Sequence, residues 1–302
     1  MELVKLKPII KDYIWGGTYF QSFGKGLDKE RVSECWELSS RGPDSSIIDG
    51  TNHKFDQVVT TNDIGPIASR FPNGYFPLLI KLIDAKQDLS IQVHPGDKYA
   101  AKYNRFGKCE MWHIIHADEG SGLYVGLNRD YKKEEIEKAL KDGSILNCLN
   151  FYPVKPGDTF VIEPGTIHAI GKGVRLIEIQ ENSDETFRLF DYNRVDKDGN
   201  PRPLHIEKGL DVIDYHHYDS NKQVRVGNCI AHTDFFTVGR LEIDDEYELK
   251  ADQKSFISFT FLEGSGMVDD IPFNQYDTFF LPYGKKCIIK GKSVVIVSTV
   301  GE

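Results

Sequence analysis

The sequence of 302 residues contains no apolar run that approaches the roughly 20 residues needed to cross a bilayer. Its first residues, from Met1 to Pro8, also lack the apolar core of a secretion signal. These two absences exclude a helical membrane protein from consideration and predict a cytoplasmic location.

Closely spaced cysteine pairs are missing as well. The five cysteines are far apart and none forms a CxxC motif, which excludes both a disulfide framework and a thiolate zinc site. They are Cys35, Cys109, Cys148, Cys229 and Cys287. We expect them to be reduced thiols.

The sequence has no excess of basic residues. With 37 Lys and Arg against 46 Asp and Glu, the net charge is −9. Such a field repels nucleic acids and anionic membrane surfaces, so neither is an expected partner. A small anionic substrate remains compatible with this charge if basic side chains cluster locally, and no obligatory protein partner is indicated.

Short strands bounded by turn residues dominate the pattern along the chain, and they predict a mainly β protein of sandwich or jelly-roll type. Apolar residues at helical spacing predict a helical insert at about 130–150, with a break at Gly143. The motif D-T-F-[VF]-[IL]-x-x-G occurs at 158–165 and again at 277–284. We therefore predict a first domain at 1–225 and a smaller, metal-free β-barrel domain at 226–302.

The segment 89–97 places chemistry on one face of a predicted strand. Alternation puts Leu89, Ile91 and Val93 on an apolar face and Ser90, Gln92 and His94 on the other. A polar face of this kind borders either solvent or a functional site.

Four possible metal donors lie on or beside strands of the same predicted sheet system. They are Gln92, His94, Glu110 and His168. Two imidazoles, a carboxylate and an amide oxygen suit a divalent cation, with zinc favoured over manganese, iron or cobalt. The alternative is that each histidine is simply hydrogen-bonded in the core.

Several motifs in order resemble the type I mannose-6-phosphate isomerases, and in particular their short bacterial branch. They are Trp-Gly at 15–16, Gln-Val-His at 92–94, Lys-Cys-Glu at 108–110, Glu-Pro-Gly-Thr-Ile-His at 163–168 and Asn-Ser-Asp-Glu-Thr-Phe-Arg at 182–188. The resemblance spans nearly the whole chain. It implies a cupin-type jelly-roll barrel with inserted helices, one zinc ion per chain, and interconversion of mannose 6-phosphate and fructose 6-phosphate through an enediol.

The resemblance also implies roles for individual residues. The zinc ligands would be Gln92, His94, Glu110 and His168, and Arg188 would act in the active site. The substrate pocket would include Trp15, Lys81, Ser90, Asp184 and Arg194. The chain departs from the longer eukaryotic-like forms at two positions: Ile170 stands where those forms have a tyrosine, and Arg194 stands roughly where they have a lysine.

The general base is not determined by the sequence. Lys108 is the first candidate, with Asp184 or a water on the ion as alternatives. A non-catalytic cupin that binds a sugar phosphate as a sensor or structural partner is the alternative function. Retention of the four donors and of Arg188 favours the enzyme.

Overall fold

A computed structural model describes residues 1–71, 75–195, 198–219, 226–251 and 254–301. The strands of the N-terminal part are β1 Val4–Lys7, β2 Ile9–Lys11, β3 Glu34–Leu38, β4 Ile47–Ile48, β5 Leu78–Ala85, β6 Ile91–Val93, β7 Glu110–Ala117, β8 Gly122–Leu127, β9 Leu149–Pro153, β10 Thr159–Ile162, β11 His168–Ile170, β12 Val174–Glu181 and β13 Phe187–Phe190. The strands of the C-terminal part are β14 Cys229–His232, β15 Phe236–Ile243, β16 Glu246–Lys250, β17 Ile257–Gly264, β18 Gly266–Val268, β19 Ile271–Phe273, β20 Thr278–Leu281, β21 Lys286–Lys290 and β22 Ser293–Val300.

The helices are short. The α-helices are α1 Phe55–Val58, α2 Thr61–Ile64, α3 Asp97–Ala100, α4 Lys133–Asp142 and α5 Ile206–Leu210. The 3₁₀ helices are Tyr19–Phe23, Gly42–Asp44, Pro66–Arg70, Ala101–Tyr103 and Ile145–Cys148. Within the described ranges, none of these helices has the length and apolarity required to traverse a bilayer.

Two antiparallel sheets form the part of the molecule that contains the predicted site. The first has the strand order β10-β7-β12-β5-β3-β2, and the second has the order β13-β6-β11-β8-β9. Apolar side chains from both sheets, including Trp112, Phe160 and Val125, share one core. β5 is buried along its whole length because it is covered on both faces, which explains its nearly continuous apolar sequence.

The other two sheets are built mainly from the C-terminal part of the chain. Their strand orders are β14-β15-β22-β17-β20-β1-β4 and β16-β21-β18-β19. The N-terminal strand β1 pairs with β20, with Val4 opposite Phe280, so the two ends of the chain meet in one sheet. A large core that includes Ile177, Phe236 and Phe280 joins this sheet to the sheet of β5, β7 and β12.

The helical insert covers the outer face of the β6 sheet. Ile136 and Leu140 of α4 and Leu210 of α5 pack with Ile91 and Val93. α4 ends at Gly143, which has a φ of 79°. This left-handed conformation is easy for glycine, and it produces the break that the sequence predicts.

The structure confirms the mainly β class and the helical insert. The division at 225/226 stays a prediction, because residues 220–225 lie outside the described part of the chain. The motif at 158–165 and its repeat at 277–284 contain the strands β10 and β20, and each ends at a glycine with positive φ, Gly165 and Gly284. The strand that follows contains His168 in the first copy and the buried Cys287 in the second.

Candidate metal centre and its cavity

Strand pairing brings three predicted site residues into one row. Gln92 of β6 lies opposite His168 of β11 on one side and opposite Arg188 of β13 on the other. Glu110 begins β7 in the facing sheet, and His94 follows β6 directly. The predicted donors therefore meet between the two sheets, although as many as 76 positions separate them in the chain.

Backbone carbonyls determine the orientation of both histidines. Nδ1 of His94 lies 2.9 Å from the carbonyl oxygen of Glu185, and Nδ1 of His168 lies 2.8 Å from that of Thr166. A carbonyl can only accept, so each Nδ1 must carry the proton and donate. Each Nε2 then has its lone pair free, and this is the arrangement that metal-binding histidines use.

The free nitrogens converge on the carboxylate of Glu110. Nε2 of His94 is 3.4 Å from Oε2, and Nε2 of His168 is 3.3 Å from Oε1. All three side chains are fully buried, and their donor atoms lie within 4.8 Å of one another. Nζ of Lys108 is 3.0 Å from Oε2 of Glu110 and supplies positive charge next to it.

Burial and mutual charge determine the protonation of the cluster. Burial, together with the ammonium of Lys108, lowers the pKa of His94 to about 3, and burial lowers the pKa of His168. Burial by itself raises the pKa of Glu110, but Lys108 and the imidazoles outweigh it and hold this pKa well below its usual value. Neutral imidazoles beside an ionised carboxylate are the forms that bind a cation.

The donor set fits a divalent metal ion. Among the described residues, Nε2 of His94 and both carboxylate oxygens of Glu110 are buried without a hydrogen bond. Buried polar atoms of this kind cost free energy unless something binds them. Nε2 of Gln92 lies 3.3 Å from Nε2 of His168, and half a turn of the amide presents Oε1 to the same place.

A cavity of about 420 Å³ adjoins the cluster. Two of the residues that line it also contact metal donors. Gln92 contacts His168, and Lys108 contacts Glu110, so the cavity borders the cluster directly. The other predicted residues that line it are Trp15, Lys81, Ser90, Asp184 and Arg188. A larger cleft of about 590 Å³ around His113 and Tyr276 does not include any of the predicted donors.

Lys81 is the basic residue that interrupts the apolar sequence of β5. It lies opposite Glu178 of β12, and its Nζ donates to Oε1 of Glu178 over 2.8 Å. The other oxygen of Glu178 accepts from Nε1 of Trp112 at 2.9 Å. Burial by itself lowers the pKa of Lys81, but Glu178 outweighs it and raises this pKa above its usual value, so Lys81 presents a fixed positive charge to the cavity.

Arg194 is the predicted pocket residue that the structure does not bring to the cavity wall. Its Nη1 donates to the carbonyl of Asp88 over 2.6 Å, and its Nη2 contacts the carboxylate of Asp191. The side chain therefore braces the segment after β13, and its role toward substrate stays a prediction.

The structure adds residues that the sequence analysis missed. Glu178 anchors Lys81, Arg202 lines the cavity, and Arg41 pairs with Asp184. The unusual Lys81 was a signal that a buried carboxylate should exist. No such signal pointed to Arg202 or Arg41, because both come from irregular segments whose partners depend on tertiary contacts.

Two packed antiparallel sheets with a buried His-Glu-His cluster between them define the class of cupin-type metal proteins. The family described as phosphomannose isomerase type I, catalytic domain, matches residues 3–111. The chain is 35% identical over 292 residues to the mannose-6-phosphate isomerase ManA of Bacillus subtilis, and the aligned region covers 92% of each sequence. A mannose-6-phosphate isomerase of Streptococcus mutans is 36% identical over 205 residues, covering 66% of this chain and 64% of that protein. The chain belongs to the type I phosphomannose isomerase family.

Solved structures show the same relationship. The crystal structure of the mannose 6-phosphate isomerase from Bacillus subtilis superimposes with a TM-score of 0.86 at 31% identity, covering 99% of both chains. A putative mannosephosphate isomerase from Archaeoglobus fulgidus gives a TM-score of 0.83 at 21% identity, covering 99% of this chain and 98% of the other, and supports the fold alone. The cupin-type fold expected from the sequence is confirmed.

Proposed function

We propose that this protein is a zinc-dependent aldose-ketose isomerase that interconverts mannose 6-phosphate and fructose 6-phosphate. The observation that carries the proposal is the convergence of His94, Glu110 and His168 beside a cavity with basic side chains, where Nε2 of His94 and both carboxylate oxygens of Glu110 are buried without a hydrogen-bond partner. Family membership supports the same activity, and the names of the relatives supply mannose 6-phosphate as a substrate. Aldose-ketose isomerisation of this sugar between C1 and C2 gives fructose 6-phosphate.

The residues that would hold the ion are Gln92, His94, Glu110 and His168. A divalent ion held there would supply Lewis-acid chemistry, stabilising the negative charge that develops on substrate oxygens. Nitrogen and oxygen donors without a thiolate suit zinc. With Glu110 as the one anionic donor, about one unit of positive charge remains on the ion.

Isomerisation moves a proton from C2 of the aldose to C1 of the ketose, while the hydroxyl proton on O2 is transferred to O1. We assign the carbon-to-carbon transfer to the neutral amine of Lys108, a form that a divalent cation beside it would favour over the ammonium, because its buried Nζ lies 3.0 Å from the ligand Glu110 and also borders the cavity. Asp184 also borders the cavity, but its carboxylate contacts the guanidinium of Arg41 and its side chain is 55% exposed. The more buried group is better shielded from competing water.

Arg188 is suited to charge stabilisation. It lies next to Gln92 across the β6–β13 pair, so its guanidinium is one strand away from the metal donors. A guanidinium keeps its proton in proteins, which excludes it as a base and favours contact with a developing oxyanion. Trp15, Leu89 and Ile170 provide apolar surface on the cavity wall that limits the entry of water.

A coupled isomerase assay on protein before and after chelator treatment tests the proposal. We expect turnover of mannose 6-phosphate, loss of turnover with the metal, and recovery with added zinc. A protein that binds the sugar phosphate but never turns it over would support the non-catalytic alternative, and full activity in protein shown to be free of metal would refute the metal-dependent mechanism.

Exchange of the C2 proton with solvent tests Lys108 separately. With substrate deuterated at C2, Lys108→Met should abolish loss of deuterium while metal content stays near that of the wild type. Normal exchange in this variant would exclude Lys108 as the base and leave Asp184 or a water on the ion in that role.

A further inference from the structure

Most of the basic side chains that line the cavity are paired with a carboxylate. Lys11 pairs with Asp44, Lys81 with Glu178 and Lys108 with Glu110. Arg202, which lines one wall together with Arg188, pairs with Asp191. In the described ranges, Arg188 makes no ion pair with a carboxylate.

The polar atoms of Arg188 are only partly satisfied. Its Nη1 donates to the carbonyl of Pro203 over 2.9 Å, but its Nε is buried without a hydrogen-bond partner. Burial lowers the pKa of Arg188, and the neighbouring guanidinium of Arg202 lowers it further. Neighbouring guanidiniums repel each other, and Asp191 offsets only part of this repulsion.

A single carboxylate holds Arg202 in place. Its Nε and Nη2 donate to the two oxygens of Asp191 over 2.7 and 2.6 Å, a fork geometry that fixes the guanidinium plane. Asp191 also contacts Arg194. One carboxylate therefore serves two guanidiniums and has Arg188 nearby, so this wall carries an excess of positive charge.

The position of Arg202 follows from strand order. Moving outward from the metal donors, the row runs from His168 to Gln92 to Arg188. The next segment is 202–205, because His205 N donates to Arg188 O over 2.7 Å. Neighbouring chains in a sheet lie about 4.8 Å apart. The segment 202–205 is therefore on the order of 10 Å from Gln92, and Arg202 within it lines the same cavity.

We propose that Arg202 binds the phosphate group of the substrate and is the residue that makes the enzyme prefer a phosphorylated sugar. This inference rests on the proposed function, since it takes C1 and C2 of the hexose to lie at the metal donors. The phosphate at the other end of the open chain then reaches Arg202, and its charge of about −2 compensates the excess on this wall. Asp191 positions the guanidinium, while Arg188 stays nearer the reacting carbons.

Steady-state kinetics of Arg202→Gln test the proposal. Hydrogen bonds to a charged group contribute enough that we expect KM for mannose 6-phosphate to rise about 10-fold or more, with kcat little changed. For unphosphorylated mannose, kcat/KM should stay the same, so the preference for the phosphorylated sugar should fall by the same factor. Arg202→Lys should give an intermediate KM, because a point charge lacks the fork.

Arg129→Gln is the matched control. Arg129 also pairs with a carboxylate, that of Glu135, but it lies at the helical insert away from the cavity. Its substitution should leave KM unchanged. The Arg202 variants should fold, because Asp191 keeps Arg194 as a partner, and metal content serves as the check on the site.

Calorimetry with inorganic phosphate separates the two proposals. We expect wild-type protein to bind phosphate and Arg202→Gln to bind it about 10-fold or more weakly. A wild-type protein that binds phosphate through Arg202 but has no isomerase activity would refute the proposed function and leave the anion site supported. A KM and a phosphate affinity that both stay near wild type in Arg202→Gln would overturn the inference.

Discussion

Glu181 offers a direct test of the electrostatics beside the metal centre. It ends β12 with 9% of its surface exposed. Its Oε2 accepts from the backbone N–H of Cys109 over 2.7 Å, and its own N–H donates to the carbonyl of Cys109 over 3.0 Å. Cys109 stands between Lys108 and Glu110, so Glu181 braces the peptide that holds both site residues. Burial raises the pKa of Glu181 from 4.5 to about 8.

The pKa of Glu181 is 4.5 in the unfolded chain and about 8 in the folded chain, and this difference determines how stability changes with pH. Below pH 4.5 the carboxyl is protonated in the folded and unfolded chains alike. Between pH 4.5 and about 8 the unfolded chain loses the proton that the folded chain keeps, so the free energy of unfolding falls as the pH rises. Each pKa unit is worth about 1.4 kcal/mol, so the loss above pH 8 is on the order of 4–5 kcal/mol.

Glu181→Gln removes this titration and keeps an oxygen that can accept from Cys109. We expect the free energy of unfolding of the variant to equal that of the wild type near pH 4 and to exceed it by on the order of 4 kcal/mol at pH 9. Urea unfolding at pH 4, 6.5 and 9 measures the difference. Chelator treatment of both proteins ensures that metal release at low pH does not contribute.

The exposed Glu119 provides the control, since Glu119→Gln should change stability equally little at all three pH values. A difference between Glu181→Gln and the wild type that stays constant from pH 4 to pH 9 would refute the reasoning. It would mean that Glu181 ionises in the folded protein at an ordinary pH.

Other perturbations address the metal, the oxyanion and the core. His94→Ala should lower bound metal from about one ion per chain, as measured by elemental analysis, whereas His217→Ala, at an exposed site, should not; equal losses would mean that the ligands are wrongly assigned. Arg188→Ala should lower kcat by on the order of 10²-fold with metal content intact, and Arg188→Lys should restore only part of it; a near-native kcat would limit Arg188 to binding or structure. Phe280→Ala should cost about 3–5 kcal/mol in urea unfolding, because this ring is fully buried in the core that joins the two parts of the chain; a cost below about 1 kcal/mol would contradict that packing.

Local rules placed two of the predicted donors on one strand face, and the family resemblance supplied the complete set. Alternation put Gln92 and His94 on one face of a strand, and Gln92 lines the cavity as expected. Alternation also predicted that Leu89 shares an apolar face with Ile91 and Val93. Leu89 instead packs with Trp112, in a different core from those two residues. β6 begins only at Ile91, so the alternation extends over fewer residues than the pattern indicates.

Local rules of this kind do not predict which strands pair when they are far apart in the sequence. The pairing of β1 with β20 joins residues more than 270 positions apart, and no local pattern identifies Phe280 as the neighbour of Val4. The same holds for Arg202, whose partner is Asp191; the bridge between Val195 and Pro201 lies between these two residues in the chain. A charged residue in an irregular segment belongs to no periodic sequence pattern, so the direction of its side chain cannot be predicted from the sequence.

Register explains how packing far from the cavity supports the site. His168, Gln92 and Arg188 lie side by side only in the observed pairing of β11, β6 and β13. A slip of β6 by one residue would turn Gln92 to the opposite face and remove it from both the ion and the cavity. That slip is opposed by Ile91 and Val93, which would have to leave the core formed with α4 and α5. Because burying each such side chain contributes about 1.5–3 kcal/mol, the helical insert stabilises the register on which the metal donors depend, although it contributes no donor itself.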